Sequence, residues 1–178
     1  KRQHIPLTAV RKMKPGLLAI TLTANRLMKL GFTPDHGIDH YFIAKARGKK
    51  KIVELETFDE QLNLFSSISD PNAFIRYTLR DLDSMESIMN DAISAWKNGD
   101  ADKINQMFIL DTLQKSPEMR TVMQSFFFDR NLKMAAKIKN MLDTPGNYFV
   151  IVGAGHLVGE HGIIELLRKS GKYKIEQL

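Results

Sequence analysis

A histidine inside a glycine-rich segment is the clearest candidate for chemistry in this sequence. The segment Gly153–Gly159 reads Gly-Ala-Gly-His-Leu-Val-Gly and follows the apolar run Tyr148–Val152. If that run is a buried strand, His156 points into the crevice at the carboxyl end of the strand, where open α/β sheets bind ligands. An imidazole there can bind a metal ion or act as a general base. The alternative is a histidine that only caps or packs at a helix start.

The glycines of the same segment allow two further interpretations. A tight turn that opens a helix offers free backbone amides to an anion. The pattern Gly153-x-Gly155-x-x-x-Gly159 also resembles a dinucleotide-binding motif, but it is one residue longer than the common form. The segment therefore predicts a ligand site without specifying the ligand.

Arg130 is the second candidate. A helical projection of residues 117–142 places it near the centre of an apolar face, which is formed by Met119, Met123, Phe126, Met134 and Met141. A buried guanidinium needs a carboxylate or phosphate partner, and Asn131 adds an amide beside it. The alternative is a structural ion pair, or a side chain that extends to the rim of the apolar face.

Glu56 is the third candidate because it directly follows the apolar run Ile52–Leu55. If this run is a strand parallel to Tyr148–Val152, Glu56 and His156 emerge at the same edge of the sheet. A carboxylate, an imidazole and a guanidinium would then converge. The alternative is a glutamate at a helix start, where the helix dipole favours it.

The elements that must position these side chains are mostly helices. Helical patterns cover residues 15–30, 38–47, 70–99, 100–115, 117–142 and a stretch to about 169, and a Thr57–Glu60 capping box starts another helix. Strand-like runs are Ile52–Leu55, Tyr148–Val152 and Tyr173–Gln177. We predict a helix-rich α/β fold with a small parallel or mixed sheet, in a single domain over residues 1–178. Residues 52–56 and 148–177 would form the sheet, and 57–142 a large helical insertion.

Composition excludes several classes of protein. The 178 residues are 43% hydrophobic and 26% charged, which is typical of one globular domain. No cysteine is present, so disulfides, cysteine-bound zinc, iron–sulfur clusters and cysteine nucleophiles are excluded. No apolar run approaches the length of a membrane-spanning helix.

The net charge of +6 is concentrated near the N-terminus. Residues 1–51 carry 12 lysines and arginines against Asp35 and Asp39. Such a segment is a solvated basic face, or it meets an anionic surface such as a membrane. No aromatic residue lies within Lys45–Lys51, so no platform for stacked bases is expected and no nucleic-acid partner is predicted.

An ordered set of short motifs resembles the TraB/GumN family, which is related to the TIKI proteins. The motifs are Lys14-Pro15, Gly37–Phe42, Leu55–Thr57 with Gln61, Ala95–Asp100, Arg130–Ala135 and Gly153–Gly159. The resemblance implies an α/β fold of the ChaN and erythromycin-esterase kind, with two Gly-x-x-His motifs and an acidic residue at a divalent-metal site. It also implies a bacterial protein of the cell envelope or periplasm, or a secreted one, although no signal peptide occurs in the sequence.

Only the second Gly-x-x-His motif occurs here, as Gly153–His156. The resemblance therefore implies that the first lies upstream, on N-terminal strands outside this chain, which would be the C-terminal two-thirds of the fold. A sheet edge left exposed in this way would favour a homodimer.

On the resemblance we predict a divalent-metal-dependent hydrolase, peptidase-like, acting on a peptide or small molecule. His156 would bind Mn, Co or Zn, Glu56 would act as general base or orient a ligand, and Arg130 would hold a carboxylate or an oxyanion. Substrate binding is expected at Asp39, Gln61 and Asn131. The alternatives are a protein that binds such a ligand without cleaving it, and a scaffold for partners.

Overall fold

The computed structural model describes residues 7–178. They form two compact units: the first ends at Asn90, and the second extends from Asp91 to Leu178. All regular elements within these residues are helices or helical turns. None of the described helices is long and apolar enough to cross a membrane. Lys1 and Arg2, which contribute to the basic N-terminal segment of the sequence, lie outside the described residues.

The α/β prediction is wrong for the part of the chain that the structure describes, because no strand occurs there. The three strand-like runs are irregular. Ile52 and Val53 are about half exposed, and Phe149 is 72% exposed. A β-branched and aromatic run is a strand only when a neighbouring strand pairs with its backbone. Instead, side chains tie the last run down: Tyr173 Oη donates to Asp143 at 3.2 Å, and Gln177 Nε2 donates to the Gly99 carbonyl at 2.8 Å.

Among its described residues, from Leu7 to Asn90, the first unit contains five helices and one short turn. Its elements are α1 (Leu7–Val10), α2 (Pro15–Lys29), a 3₁₀ turn (Pro34–His36), α3 (Ile38–Ala46), α4 (Phe58–Ser66) and the first part of α5 (Pro71–Lys97). Local signals start these helices as predicted. Pro15 begins α2, and the Asp70 carboxylate accepts from the Ala73 amide at 2.9 Å at the start of α5.

The core of the first unit lies between α2 and α5. Leu22, Leu82 and Met85 are buried together there, and the partly buried Leu18, Leu27, Leu30 and Met89 pack against them. Arg26 Nε donates to the Leu82 carbonyl at 3.2 Å, which fixes the two helices against each other. Gly16 lets α4 approach, because a β-carbon there would lie 2.3 Å from the Phe65 carbonyl oxygen.

The capping box of α4 gives a prediction of modest size. The Thr57 side chain accepts from the Glu60 amide, and the Glu60 carboxylate accepts from the Thr57 amide. We expect Thr57→Ala to lower the free energy of unfolding by about 1 kcal/mol, because one orphan amide loses its acceptor. Urea titration checks this, with Thr21→Ala as control because Thr21 bonds only within its own helix at a non-terminal position. Equal losses in both variants would contradict the prediction.

The second unit contains the end of α5 and five further helices. They are α6 (Ala101–Asn105), α7 (Asp111–Lys115), α8 (Arg120–Met123), α9 (Asp129–Leu142) and α10 (Ile163–Arg168). α6 and α7 are joined by the π turn Gln106–Leu110, and α8 and α9 by the π turn Gln124–Phe128. The predicted helices over 100–115 and 117–142 are thus continuous, but each contains one wide turn.

The core of the second unit is formed where α10 packs on α9. Met134, Ala135 and Ile138 of α9 and Ile163 and Leu167 of α10 are buried. Further apolar residues close the core from α6 to α8, namely Ile104, Ile109, Met119, Val122 and Met123. Trp96 of α5 is 52% exposed and does not belong to this core.

Candidate functional site

The Gly153–Gly159 segment forms a compact loop that precedes α10 without being part of it. The His156 amide donates to the Gly153 carbonyl at 2.9 Å, and the Leu157 amide donates to the Ala154 carbonyl at 3.0 Å. The sequence predicted that the glycines open a helix directly. Instead, α10 begins only at Ile163, after the loop has ended. What the loop presents is therefore the side chain of His156, which is half-buried.

His156 is held by Asn131 of α9. The imidazole Nδ1 lies 2.6 Å from Asn131 Oδ1, and Asn131 Nδ2 donates to the His161 carbonyl at 2.8 Å. Because a carbonyl only accepts, the second bond orients the amide so that Oδ1 faces the imidazole. Oδ1 also only accepts, so Nδ1 of His156 carries the proton. In the neutral ring the basic lone pair is therefore on Nε2.

The wide turn before α9 decides which side chain of the Arg130-Asn131 pair is buried. A π turn adds one residue and rotates the following helix by about 100° relative to an unbroken α-helix. The buried face of α9 consequently contains Asn131, Met134, Ala135 and Ile138. Asn131 is 2% exposed, and Arg130 is only half-buried. The sequence prediction, made with uniform helical spacing, put Arg130 at the centre of that face.

Arg130 occupies the edge of this face. Its Nη1 donates to the Phe126 carbonyl at 3.0 Å, within the same wide turn. The guanidinium is therefore anchored on its own helix and remains partly accessible. This is the arrangement of a side chain that extends to the rim, which the sequence left as the alternative to burial.

Aromatic side chains of the same wide turn flank the two histidines of the loop region. The Phe127 and His156 ring centroids are 5.2 Å apart, and the Phe128 and His161 centroids are 4.4 Å apart. Phe127 also packs closely on Gly155, because a β-carbon at this residue would lie 3.2 Å from Phe127 Cε1. Phe127 thus restricts both the loop backbone and the imidazole.

Asn105, the last residue of α6, meets the far end of the loop. Gly159 has φ +77°, and a β-carbon built on it would lie 2.2 Å from Asn105 Oδ1. The side chain of Asn105 therefore fills the space that any other residue at position 159 would need. α6 also contacts the turn Ala154–His156.

Three of the six predicted site residues belong to the first unit. Asp39 is exposed in the first turn of α3, and Gln61 is exposed in α4. Glu56 is half-buried just before Thr57. The other three lie in the second unit, where Asn131 and His156 are in direct contact and Arg130 is adjacent to Asn131 in the chain. The convergence of Glu56 with His156 stays a prediction.

The residues that the structure describes do not fit a complete metal site. Within 7–178 there is no group of three or more His, Cys, Asp or Glu that could hold an ion. Three protein ligands are usual at catalytic zinc. His156 is one candidate ligand, with Nε2 as its donor atom.

Asn105, Phe127 and the two wide turns were not found from the sequence. Each turn is bridged by a glutamine and an aspartate five residues on: Gln106 Nε2 donates to Asp111 at 2.5 Å, and Gln124 Nε2 donates to Asp129 at 2.7 Å. The backbone amide of each aspartate also donates to the carbonyl of its glutamine. The shared pattern Gln-x-Phe-x-x-Asp, at residues 106–111 and 124–129, was the available signal.

Removing the Asn131 amide should destabilise the second unit. We expect Asn131→Ala to lower the free energy of unfolding by about 2 kcal/mol, because two buried or half-buried groups lose their partner. Urea titration measures the loss, and Asn140→Ala, exposed on the same helix, is the matched control. A loss no larger than that of the control would show that the amide bonds contribute nothing to stability.

Comparison with known proteins places these residues in a family. The model of the TraB/PrgY/gumN family matches residues 1–177. The uncharacterized protein YbaP of Escherichia coli K12 is 28% identical over 153 residues, which cover 85% of this chain and 55% of YbaP, and YbaP of Shigella flexneri gives the same values. The metalloprotease TIKI homolog of the sponge Amphimedon queenslandica is 25% identical over 167 residues, covering 79% of this chain and 32% of that protein.

The matched region thus spans about half the length of the YbaP proteins and about a third of the TIKI homolog. No solved structure is significantly similar to this chain.

Proposed function

The chain belongs to the TraB/PrgY/gumN family, and we propose that the protein is a metal-dependent hydrolase acting on peptide-like substrates. A distant relative is named as a metalloprotease homolog, which supports hydrolysis as the reaction class. The shared region covers a third of that relative, so the activity of the complete protein is part of the proposal.

The observation that carries the proposal is the Asn131–His156 hydrogen bond of 2.6 Å. It keeps the proton on Nδ1 and leaves Nε2 as the basic nitrogen, at a half-buried position beside Phe127. A histidine that serves only packing needs no such fixed tautomer. Catalytic and metal-binding histidines do, because their reactive nitrogen must face the substrate or ion in a single orientation.

Other residues take the roles that their positions allow. Arg130, which is half-buried and donates from Nη1 to the Phe126 carbonyl, would hold a substrate carboxylate or stabilise an oxyanion. Glu56 would act as a general base or orienting group, and Asp39 and Gln61 would contact the substrate. Both polar atoms of the Asn131 amide are engaged by the protein, so its role in the proposal is to position His156.

The proposed ion is Mn, Co or Zn. The described residues do not form a complete site for this ion. Within residues 7–178, His156 does not belong to any group of three or more possible metal ligands. When bound, the ion would activate a water molecule for attack on the substrate carbonyl. Its presence in the complete protein is a separate measurement.

The second candidate is a protein that binds a peptide or small molecule without cleaving it. In this case the loop, Phe127 and Arg130 would contact the ligand and His156 would donate or accept a hydrogen bond. For either function, we propose the cell envelope, the periplasm or the exterior of a bacterium as the compartment.

The test uses the full-length protein with a mixture of synthetic peptides, incubated with and without added Mn, Co or Zn. Mass spectrometry of the peptides detects cleavage, and elemental mass spectrometry of the protein measures bound metal. Cleavage with near-stoichiometric metal supports the hydrolase. Retained peptides without products support the binding protein. If neither cleavage nor binding occurs after metal reconstitution, both proposals fail.

A further inference from the structure

We propose that Asn105 is a positioning residue for His156, acting on the loop backbone at Gly159 while Asn131 acts on the imidazole itself. The inference deepens the proposed function, since it concerns the geometry of the imidazole assigned there. Asn131 fixes the ring of His156 directly. Asn105 fixes the backbone at Gly159, three residues beyond the histidine, and so determines where the loop can place the ring.

The first step in the argument is the fit between Asn105 and Gly159. Asn105 Oδ1 lies where the β-carbon of any other residue would be, at 2.2 Å from the ideal Cβ position of Gly159. Gly159 also has φ +77°, a conformation that favours glycine. Gly159 thus combines a close approach with a left-handed backbone. The loop can adopt this conformation after Val158 while the Asn105 amide packs against Gly159.

The second step is that Asn105 is held rigidly. α6 is capped by Asp100, whose carboxylate accepts from the Lys103 amide at 2.9 Å. At its other end α6 continues into the π turn Gln106–Leu110, which the Gln106–Asp111 side-chain bond closes. Asn105 therefore stands on an element that is fixed at both ends, and it is half-buried.

The third step is the correspondence between the two wide turns. Gln106–Asp111 and Gln124–Asp129 have the same pattern and the same side-chain bridge. The first adjoins Asn105, which meets Gly159, and the second carries Phe127 and precedes Asn131, which both contact His156 in the middle of the loop. The loop is thus held at two points by residues placed by equivalent turns.

The test compares Asn105→Ala, Asn105→Gln and Asn105→Asp in the full-length protein. Alanine and glutamine are better helix formers than asparagine, so a change in the loop cannot be ascribed to a weakened α6. Aspartate keeps an oxygen at the Oδ1 position and should restore the wild-type behaviour. Asn98→Ala, exposed before α6, is the matched control.

Two readouts do not depend on activity. Hydrogen exchange of the Gly155–Gly159 amides should become about tenfold faster in Asn105→Ala and Asn105→Gln, because the loop backbone opens more often once this side chain no longer fits against Gly159. The ¹⁵N signals of the His156 ring are expected to show a protonated Nδ1 in the wild type and should shift toward a mixture of tautomers in both variants. Both changes should be absent in Asn105→Asp and in the control.

The inference fails if exchange and the ring signals are unchanged in both Asn105→Ala and Asn105→Gln. It also fails if Asn105→Asp behaves like Asn105→Ala, because the oxygen would then not be the group that matters. If the peptide assay shows no hydrolysis in the wild type, the proposed function fails, whereas the exchange and ring signals still decide the role of Asn105. With hydrolysis present, kcat should fall in Asn105→Gln while KM changes little.

Discussion

Replacing His156 by alanine is expected to reduce peptide hydrolysis by the full-length protein by about 10²–10⁴-fold, the usual contribution of a positioned acid–base group. The physical reason is the fixed orientation of the ring. Asn131 Oδ1, 2.6 Å from Nδ1, holds the proton on that nitrogen, so Nε2 would be the reacting atom in the proposed mechanism. Alanine removes Nε2 and keeps the backbone bonds of the loop, but it also takes this partner from the buried Asn131 oxygen, so urea titration must show that the variant is folded under the assay conditions.

The matched control for this prediction is His161→Ala. His161 is the other histidine of the region, is exposed, and has Phe128 beside its ring as His156 has Phe127. Its contribution to the site is its backbone carbonyl, which accepts from Asn131 and survives the substitution. We expect His161→Ala to retain hydrolysis within about threefold of the wild type, since a surface substitution of this kind has little effect on stability. Equal activity of His156→Ala and the wild type would remove His156 from the mechanism.

Gly159→Ala is expected to give the largest loss of stability of any single substitution in the loop, about 3 kcal/mol. Part of the loss is the backbone, because φ is +77° at this residue. The remainder is overpacking, because the new β-carbon would be placed 2.2 Å from Asn105 Oδ1. Urea unfolding monitored by circular dichroism measures the change, and an unchanged slope confirms that only stability was altered.

Gly171→Ala separates the two contributions. Gly171 has φ +66°, and a β-carbon there would meet nothing within 4 Å. Its replacement should therefore cost only the left-handed backbone, about 1–2 kcal/mol. In a double variant, Asn105→Ala should recover much of the overpacking cost of Gly159→Ala. If Gly159→Ala and Gly171→Ala lowered the free energy of unfolding equally, the close approach of Asn105 would not contribute to the loss.

Much of the helical structure follows from local rules that act within a few residues. Proline at the first turn of α2, the Asp70 cap of α5, the Thr57 capping box and the Asp100 cap of α6 each fix a helix start, as predicted. The glycine segment with His156, and the ordered motifs that indicated the family, were also recognisable from the residues alone.

The contacts of the candidate site depend on residues far apart in the chain. Asn131 and His156 are separated by 25 positions, and Asn105 meets Gly159 across a longer interval still. The wide turn at Gln124–Phe128 shows why spacing alone was misleading, since one additional residue moved Asn131 onto the buried face and Arg130 to its edge. Helical projection assumes a uniform rotation per residue, and a π turn violates that assumption.

The same distinction explains the error in fold class. Sequence by itself determined where the helices begin and that three runs have strand-like composition, because both are properties of neighbouring residues. Only the tertiary structure decided that none of these runs pairs within residues 7–178, and that Asn105 and Asn131 hold the loop. Strand pairing and side-chain contacts require a partner elsewhere in the chain. The free energy of bringing the two segments together depends on both of them and on the chain between them, so neither segment alone predicts it.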